Sequence, residues 1–209
     1  MDLRFEVDDQ DIATTYVNGV QGALNQMDTR VLVNEMSKIP VNGKYVETGS
    51  YLGCSAVIAG LSTKRGVMIY CHDLWVEDMS LLPQDGSPPP VVDGYLYKFY
   101  DAIKSNKLES VVIPMRGDSS YTLGIHSDKT IDVAFIDGDH SFDGVKKDLE
   151  AVLPKMKDGG VILCHDCQRD SPTLRGVESF CVEHQIREVT GFKGSSILKL
   201  TVEPTEMGK

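Results

Sequence analysis

The stretch that decides the fold is YVETGSYLGCS, residues 45–55. An apolar strand end leads into it at Val46, two glycines follow at Gly49 and Gly53, and the pattern indicates a helix start near Ser55. Glycine lets a backbone approach a ligand closely, and the free N–H groups at a helix N-terminus attract anions. The stretch therefore predicts a strand, a turn and a helix that hold a nucleotide-like ligand with an anionic group.

The glycine spacing separates two kinds of nucleotide site. Dinucleotide-binding proteins use G-x-G-x-x-G, whereas residues 47–55 follow E-x-G-x-x-x-G-x-S. A nicotinamide oxidoreductase is therefore disfavoured, and a test of NADH binding would check this. Ordinary strand-to-helix turns also use glycine, so a purely structural turn stays an alternative for this stretch taken alone.

Length and composition narrow the class of protein. The 209 residues suit one domain, predicted to span 1–209. The net charge of -10 and the absence of a basic run argue against nucleic acid as a partner and favour a neutral or cationic small acceptor. Five scattered cysteines and an N-terminus without a signal-peptide pattern predict a reducing, cytoplasmic location. No apolar run is long enough for a membrane span, so no membrane partner is expected.

The N-terminal part, residues 1–40, is predicted to be helical. The spacing of its apolar residues over 10–38 is close to helical, and a second helix is predicted from about Asp28. Four residues share the spacing: Ile12, Tyr16, Val20 and Leu24. These helices could pair two subunits into a homodimer or cover the site.

Beyond Pro40 the chain alternates short apolar strands with helical stretches. The predicted parallel strands are 44–48, 67–72, 110–114, 131–136 and 160–165. Strands buried on both faces and separated by helices indicate a doubly wound sheet. A helix at about 174–184 precedes two strands at 186–190 and 196–202, whose short connection requires antiparallel pairing. The predicted fold class is α/β, a mostly parallel seven-stranded sheet with an antiparallel C-terminal hairpin.

Residues 76–94 are the one irregular insertion and contain the run Pro88-Pro89-Pro90. A long segment without secondary structure is either a functional lid or a disordered excursion. This one follows the second parallel strand, at the edge where such sheets bind ligands. A mobile loop that covers the acceptor is the favoured interpretation.

Polar residues at two strand ends suit a nucleoside. Asp73 ends the second strand, 24 residues beyond Gly49, where an acid can accept hydrogen bonds from both hydroxyls of a ribose. After the third strand, Gly117-Asp118-Ser119 forms a polar turn beside the expected purine. A solvated strand end and an ordinary helix cap are the alternatives for these two places.

The fourth and fifth strands end in a second polar group made of Asp137, His165 and Asp166. Neighbouring parallel strands would bring these side chains within several ångströms at one edge of the sheet. Two carboxylates and one imidazole suit Mg²⁺ or Mn²⁺ better than a closed zinc site. Helix-capping carboxylates with a merely hydrogen-bonded histidine are the alternative. Cys164 and Cys167 spell C-x-x-C, but no second pair follows, so a redox or zinc role is disfavoured.

Taken together, these motifs resemble the class I S-adenosylmethionine-dependent methyltransferases, and within them the small metal-dependent O-methyltransferases of the catechol and macrocin or sugar types. Residues 47–55 are similar to the catechol enzymes' E-x-G-x-Y-x-G-x-S loop. Residues 135–149 (FIDGDHSFDGVKKDL) and 159–166 (GGVILCHD) look like the signature of the sugar and macrolide group. The resemblance covers about residues 40–200 and implies methyl transfer from S-adenosylmethionine to a hydroxyl of a small-molecule acceptor, assisted by a divalent cation such as Mg or Mn.

The resemblance also implies residue roles. Cofactor contacts fall on Glu47, Gly49, Ser50, Tyr51, Gly53, Ser55, Asp73, Asp118, Ser119 and Asp137. Metal ligands fall on Asp137, His165 and Asp166, and catalysis on His140 and Asp137. His140, three residues beyond the first ligand, matches the general base. His165 is a departure, because these families more often carry an acidic residue there.

Two further alternatives stay open. A methyltransferase of the same fold could work without a metal, with His140 as the base and His165 and Asp166 in structural roles. Activity that survives a chelator would favour it. A non-catalytic S-adenosylmethionine-binding subunit would bind the cofactor without turnover and would use residues 76–94 as a protein interface.

Overall fold

The computed structural model describes residues 5–7, 15–76 and 94–204. They begin with a small antiparallel sheet of β1 (Phe5–Val7), β2 (Thr15–Val17) and β3 (Val20–Gly22). The main sheet contains β4 (Lys44–Thr48), β5 (Met68–Asp73), β6 (Val112–Arg116), β7 (Ile131–Ile136), β8 (Met156–Cys164), β9 (Val189–Gly191) and β10 (Leu198–Thr201). The described helices are α1 (Gln26–Lys38), α2 (Cys54–Ser62), α3 (Gly94–Ser105), α4 (Ser119–Thr122), α5 (Phe142–Val152) and α6 (Pro172–Glu183).

The main sheet has the strand order β6-β5-β4-β7-β8-β10-β9. The strands from β6 to β8 pair in parallel, whereas β10 is antiparallel to both β8 and β9. The prediction of a mostly parallel seven-stranded sheet with an antiparallel C-terminal hairpin is therefore confirmed. The strands at 44–48 and 131–136 have the predicted bounds, and the ends of the others differ from prediction by up to four residues.

Helices cover both faces of the main sheet. On one face α1, α2 and α3 contribute to one apolar cluster, and on the other α5 and α6 contribute to a second. Successive side chains of a strand point to opposite faces. Accordingly, Val133 and Phe135 of β7 belong to the first cluster, and Ala134 and Ile136 to the second. Because both faces of these strands are buried, the strands appear in the sequence as continuous apolar runs.

The first predicted N-terminal helix is wrong, because β2 and β3 form a hairpin in its place. Tyr16 and Val20, two of the residues at helical spacing, lie in these strands. The reason is the turn Asn18-Gly19, in which both residues have left-handed φ values of 51° and 79°. An Asn-Gly pair between apolar residues is a strong hairpin signal, and here it outweighs the apolar spacing.

The second predicted helix is α1, and its start is fixed by Asn25. The side-chain oxygen of Asn25 accepts hydrogen bonds from the backbone N–H groups of Met27 (2.7 Å) and Asp28 (3.0 Å). The Asp28 carboxylate in turn accepts one from the backbone N–H of Asn25 (3.1 Å). This reciprocal arrangement satisfies N–H groups that a helix start leaves without partners.

Two expectations fall partly outside the described residues. Ile12, which supported the helical prediction, lies outside them, as do residues 77–93 of the predicted acceptor loop. The role of that loop stays a prediction. Among the residues that are described, no helix has both the length and the apolar character needed to cross a membrane.

The site is positioned by a reversal in the strand order between β4 and β7. From β4 the chain continues to β5 on one side, whereas β7 lies on the other side of β4. The connections that follow these two strands diverge, which leaves a crevice at their carboxyl ends. The register pairs the ends of β4, β7 and β8 with one another, so Gly49, Asp137 and His165 follow at one level of the same edge.

Gly49 lies at the closest approach between two of these segments. Its φ is +78°, and a Cβ added there would collide with the backbone carbonyl of Asp137. Its N–H donates to the carbonyl of His72 (2.9 Å), and the N–H of Asp137 donates to the carbonyl of Thr48 (3.1 Å). These backbone bonds hold the crevice narrow, so only glycine fits.

Replacement of Gly49 by Ala should therefore cost more stability than the same replacement at a glycine that has a left-handed φ but open space around it. Gly159 is a matched control, because its φ is +76° but a Cβ there meets nothing within 4 Å. We expect Gly159→Ala to cost about 1–2 kcal/mol in the free energy of unfolding and Gly49→Ala to cost more. Urea unfolding measures both, and equal losses would contradict the steric explanation.

Candidate active site

The turn after β4 surrounds a buried carboxylate. Glu47 is fully buried, and the Tyr45 hydroxyl donates to its Oε2 (2.8 Å). Burial raises the pKa of Glu47. Its Oε1 and the hydroxyl of Ser50 are buried without a hydrogen-bond partner of good geometry among the described residues. Ser50, Ser55 and Cys71 are close polar neighbours of the carboxylate. Of this group, Ser50 and Ser55 line the adjoining cavity, where a polar ligand group could contact their hydroxyls.

The N-terminus of α2 is open toward the same space. Its N-cap is Gly53, which has a left-handed φ of 89° and offers no side chain to cap the helix. Ser55, in the first turn, is buried and lines the cavity. Uncapped N–H groups and the helix dipole favour an anion at this position. Both halves of the predicted strand-turn-helix unit therefore face one cavity.

Asp73 is held at the end of β5 by backbone donors. Its Oδ2 accepts from the N–H of Tyr51 (2.8 Å), and its Oδ1 accepts from the N–H of Trp75 (2.6 Å). Burial raises the pKa of Asp73. The indole of Trp75 is buried and donates to the carbonyl of Tyr51 (2.8 Å). Asp73 thus keeps a fixed orientation at the wall of the site.

A second cavity continues from Asp73 toward Asp118 and Ser119. Asp118 caps α4 by accepting from the N–H of Ser120 (3.0 Å), and it pairs with Lys147 (2.8 Å). Although burial opposes the shift, Lys147 and Ser120 lower the pKa of Asp118. Ser119 donates to the carboxylate of Asp148, which is buried within α5. The predicted polar turn is present, and its Ser119 is bonded to α5; its contact with a purine stays a prediction.

Asp148 was missed by the sequence prediction. It lies on the inner face of α5 with Val145, Leu149 and Val152, all of which are buried. The available signal was an acidic residue at an apolar position of an amphipathic helix. Such a residue needs a buried partner, and here the partner is Ser119.

The polar ends of β7 and β8 meet as predicted. Asp137, His140 and Asp166 each place a possible ligand atom within 4.8 Å of the others. Nε2 of His140 is 3.5 Å from Oδ1 of Asp137 and 3.3 Å from Oδ2 of Asp166. The His140 side chain is 57% exposed, so it is accessible from the cavity. A hydrogen bond to Asp137 is the main cause of the raised pKa of His140.

His165 is placed differently from His140. Its side chain is only 3% exposed, and its two ring nitrogens face two carboxylates. Nδ1 is 2.9 Å from Oδ1 of Asp137, and Nε2 is 3.4 Å from Oδ2 of Asp28. Although burial opposes the shift, these carboxylates raise the pKa of His165 to about 10. The two carboxylates thus favour the protonated ring. That form has no free nitrogen lone pair, so His165 could act as the predicted metal ligand only after losing a proton.

Asp28 was also missed as a site residue, because nothing local links it to His165. The two residues are separated by 137 positions. In the sequence, Asp28 has the pattern of an ordinary acidic residue in the first turn of a helix. Only the packing of α1 against the end of β8 reveals the pair.

Most of the predicted site residues line two adjoining cavities, whereas Glu47 and Gly53 line neither and lie behind the first one, in the strand and at the helix start that border it. The first is lined by Gly49, Ser50, Tyr51, Ser55, Asp73, Asp137, His140, His165 and Asp166. The second shares Gly49, Asp73 and His140 and adds Asp118 and Ser119. The first cavity also has a wall from the N-terminal segment, residues 21–24 at the end of the hairpin; the sequence had suggested that this segment could cover the site, but as a helix.

The cysteines and the other histidines are buried or bonded to neighbouring residues. Cys164 is buried, and the five cysteines are free thiols. His126 is buried with its Nε2 3.2 Å from Nε2 of His72. His184 pairs with Glu150 (2.8 Å) at the surface. None of these thiols joins the group of possible metal ligands found among the described residues.

The sheet order, the glycine turn and the acid after β5 define a Rossmann-like cofactor-binding domain. A protein family described as "Methyltransferase domain" matches residues 46–167, which is more than half of the chain. The chain therefore belongs to this family, and it is an S-adenosylmethionine-dependent methyltransferase, as the resemblance predicted.

Solved structures of similar fold include several methyltransferases. The O-methyltransferase from Bacillus cereus, in complex with S-adenosylhomocysteine, shares 15% identity over 87% of this chain and 82% of that chain, with a TM-score of 0.62. TomG from Streptomyces achromogenes, an O-methyltransferase in tomaymycin synthesis in complex with S-adenosylmethionine, shares 12% over 88% and 82%, with a TM-score of 0.61. A protein from Corynebacterium glutamicum shares 13% over 91% and 86%, with a TM-score of 0.64. At these identities the likeness shows the fold. Comparison with curated protein sequences gave no match.

The buried imidazolium of His165 predicts a pH-dependent contribution to stability. Because folding raises its pKa from 6.5 to about 10, the stabilisation is fully present below pH 6.5 and is lost as pH rises through about 10. His165→Gln should therefore cost about 1–3 kcal/mol near pH 6 and progressively less toward pH 10. Urea unfolding across this range measures the difference, with His184→Gln as the surface control. A cost that does not change with pH would contradict the assignment.

Proposed function

We propose that this methyltransferase acts on a hydroxyl of a small acceptor and that a divalent cation assists the transfer. The observation that carries the proposal is the meeting of Asp137, Asp166 and His140 in the cavity that also contains the glycine turn. A hydroxyl placed at this cluster would lie beside the cofactor's reactive end. The O-methyltransferase descriptions of the Bacillus and Streptomyces structures support the same reaction type.

The described residues fit S-adenosylmethionine in three parts. The carboxylate of Glu47 and the hydroxyl of Ser50 suit the ammonium group of the methionine, and the α2 N-terminus suits its carboxylate. Asp73 suits the ribose hydroxyls. Asp118 and Ser119 line the second cavity where the purine would lie. This assignment places the methyl group near Asp137, where the two cavities adjoin.

The charges of the cluster fit a divalent cation. Asp28, Asp137 and Asp166 are three carboxylates, and the buried imidazolium of His165 compensates one of them. The carboxylates thus exceed the imidazolium of His165 by two negative charges, or by one when His140, whose pKa they raise, carries a proton. Carboxylate oxygens with room for water or substrate suit Mg²⁺ or Mn²⁺. In this proposal Asp137 and Asp166 hold the cation, and the cation supplies positive charge that makes a nearby hydroxyl more acidic.

His140 is the proposed general base. Its Nε2 is accessible, faces the carboxylates of Asp137 and Asp166, and can accept the proton of the acceptor hydroxyl. Both carboxylates then stabilise the imidazolium that forms, as the raised pKa of His140 indicates. The backbone of His140 is fixed by Thr173, whose hydroxyl donates to its carbonyl (3.1 Å). The base is therefore held in place while its ring stays free to exchange a proton.

Cofactor binding can be tested at Asp73. Asp73→Asn keeps the size of the side chain but loses the acceptor capacity that a ribose requires, so affinity for S-adenosylhomocysteine should fall about tenfold or more. Isothermal titration calorimetry measures this. The control is Asp128→Asn, which removes an exposed carboxylate paired with Lys155. Equal affinity in the wild type and Asp73→Asn would refute the ribose assignment.

The cation and base roles can be separated by two substitutions. Asp166→Asn should weaken Mn²⁺ binding about tenfold or more, because it removes a charged ligand. His140→Gln should leave Mn²⁺ affinity within about twofold and lower methyl transfer about a hundredfold, as expected for loss of a general base. Calorimetry with Mn²⁺ and transfer of labelled methyl to catechol or rhamnose measure the two effects.

Three outcomes would redirect the proposal. Weakened Mn²⁺ binding in His140→Gln would make His140 a ligand instead of the base. Transfer that persists in EDTA would favour the metal-independent alternative. Binding of S-adenosylhomocysteine without transfer to any hydroxylated acceptor would favour a non-catalytic subunit.

A further inference from the structure

Asp28 is an unusually buried carboxylate for the first turn of a helix. Its residue is 1% exposed, and its oxygens are shared among partners from three parts of the chain. Oδ1 accepts from the Ser195 hydroxyl (2.6 Å) and the Ser196 N–H (2.9 Å), in the β9–β10 connection. Oδ2 accepts from the Asn25 N–H (3.1 Å) and faces Nε2 of His165 (3.4 Å). A carboxylate is buried this deeply only when its charge is compensated.

Helix capping explains only part of this arrangement. An uncharged amide at position 28 could accept from Ser195 and Ser196 through its single oxygen, and only the N–H of Asn25 would lose its acceptor. None of those three donors carries a charge, so none of them requires a carboxylate. The remaining partner is the ring of His165, whose Nδ1 faces Asp137 (2.9 Å) and whose Nε2 faces Asp28 (3.4 Å), so both nitrogens meet carboxylate oxygens. The negative charge of Asp28 is thus directed toward the catalytic cluster.

The geometry fixes the ring of His165 from both sides. Rotation of the ring would break the contact with Asp28 and the contact with Asp137 together. Oδ1 of Asp137, the atom that His165 contacts, is also the Asp137 oxygen that faces Nε2 of His140 (3.5 Å). A continuous series of contacts therefore runs from Asp28 through His165 and Asp137 to His140.

We propose that Asp28 is a positioning residue of the catalytic centre, which acts through His165 to orient Asp137 toward His140 and the acceptor. Its functional consequence rests on the proposed methyl transfer, whereas the contacts themselves do not. The same residue ties α1 to the site. Residues 21–24, just before α1, line the first cavity. Asp28 therefore helps to position both this wall of the cavity and the catalytic cluster.

The test compares Asp28→Asn with two matched variants. Asn keeps an oxygen for the two serines but turns an N–H toward Nε2 of His165, where two donors oppose each other. Asp28→Ser is a second variant that removes the carboxylate while keeping a short polar side chain in the first turn of α1. Asn25→Ala weakens the same helix start without touching the Asp28–His165 contact, and Ser195→Ala removes one donor from Asp28.

Nitrogen-15 spectra of the five histidine side chains provide a measurement that should not change if Asp28 serves only to cap α1. In the wild type we expect ring N–H signals at both nitrogens of His165. Asp28→Asn and Asp28→Ser should lose the Nε2–H signal and shift the ring signals of His140. Asn25→Ala and Ser195→Ala should keep both sets of signals despite lower resistance to urea.

Kinetics give the functional arm of the test. Both Asp28 variants should bind S-adenosylhomocysteine within about twofold of the wild type, with kcat for methyl transfer lower by about tenfold or more. Unchanged His165 and His140 signals in both variants, or the same changes in Asn25→Ala, would overturn the proposal. If no variant, wild type included, transfers methyl, the proposed function fails, and the spectra still decide whether Asp28 positions His165.

Discussion

The site depends on one steric constraint, the contact between the turn after β4 and the segment after β7. Gly49 lies so close to the backbone of Asp137 that no side chain fits between them. Backbone hydrogen bonds from Gly49 to His72 and from Asp137 to Thr48 fix this spacing. Since both segments start at the level where the strand order reverses, the crevice opens directly over Asp137. Cofactor loop and polar cluster are thus placed against each other by the sheet itself.

Charge compensation is the second requirement of this arrangement. Carboxylates from α1, β7 and β8 converge on a space that is partly closed to water, and their mutual repulsion would separate them. The imidazolium of His165 lies between Asp28 and Asp137 and offsets part of that repulsion. An acidic residue at position 165, as the related families more often have, would require another source of positive charge. His165 and the buried Asp28 therefore depend on each other: each compensates the charge of the other.

The sequence predicted the parts of this site that depend on local pattern and strand order. Apolar runs indicated β4 to β8, and polar residues at their ends correctly placed Asp73, Asp137 and Asp166 at one edge. Contacts between distant segments were not predictable in the same way. Asp28 meets His165 only through tertiary packing, and the N-terminal hairpin was missed because apolar spacing was given more weight than the Asn-Gly turn.

Backbone strain at the rim of the site arises where the chain turns sharply after the strands of the main sheet. Tyr51, Trp75 and Asp166 follow strand ends closely, and each has a left-handed φ, at 46°, 45° and 55°. Such backbones cost about 1–3 kcal/mol each and persist only where other bonds determine them. The indole of Trp75 donates to the carbonyl of Tyr51, and the Ser171 hydroxyl donates to the carbonyl of Asp166 (2.9 Å). These bonds hold the strained residues at the points where the chain turns sharply to bring its polar groups to the edge of the sheet.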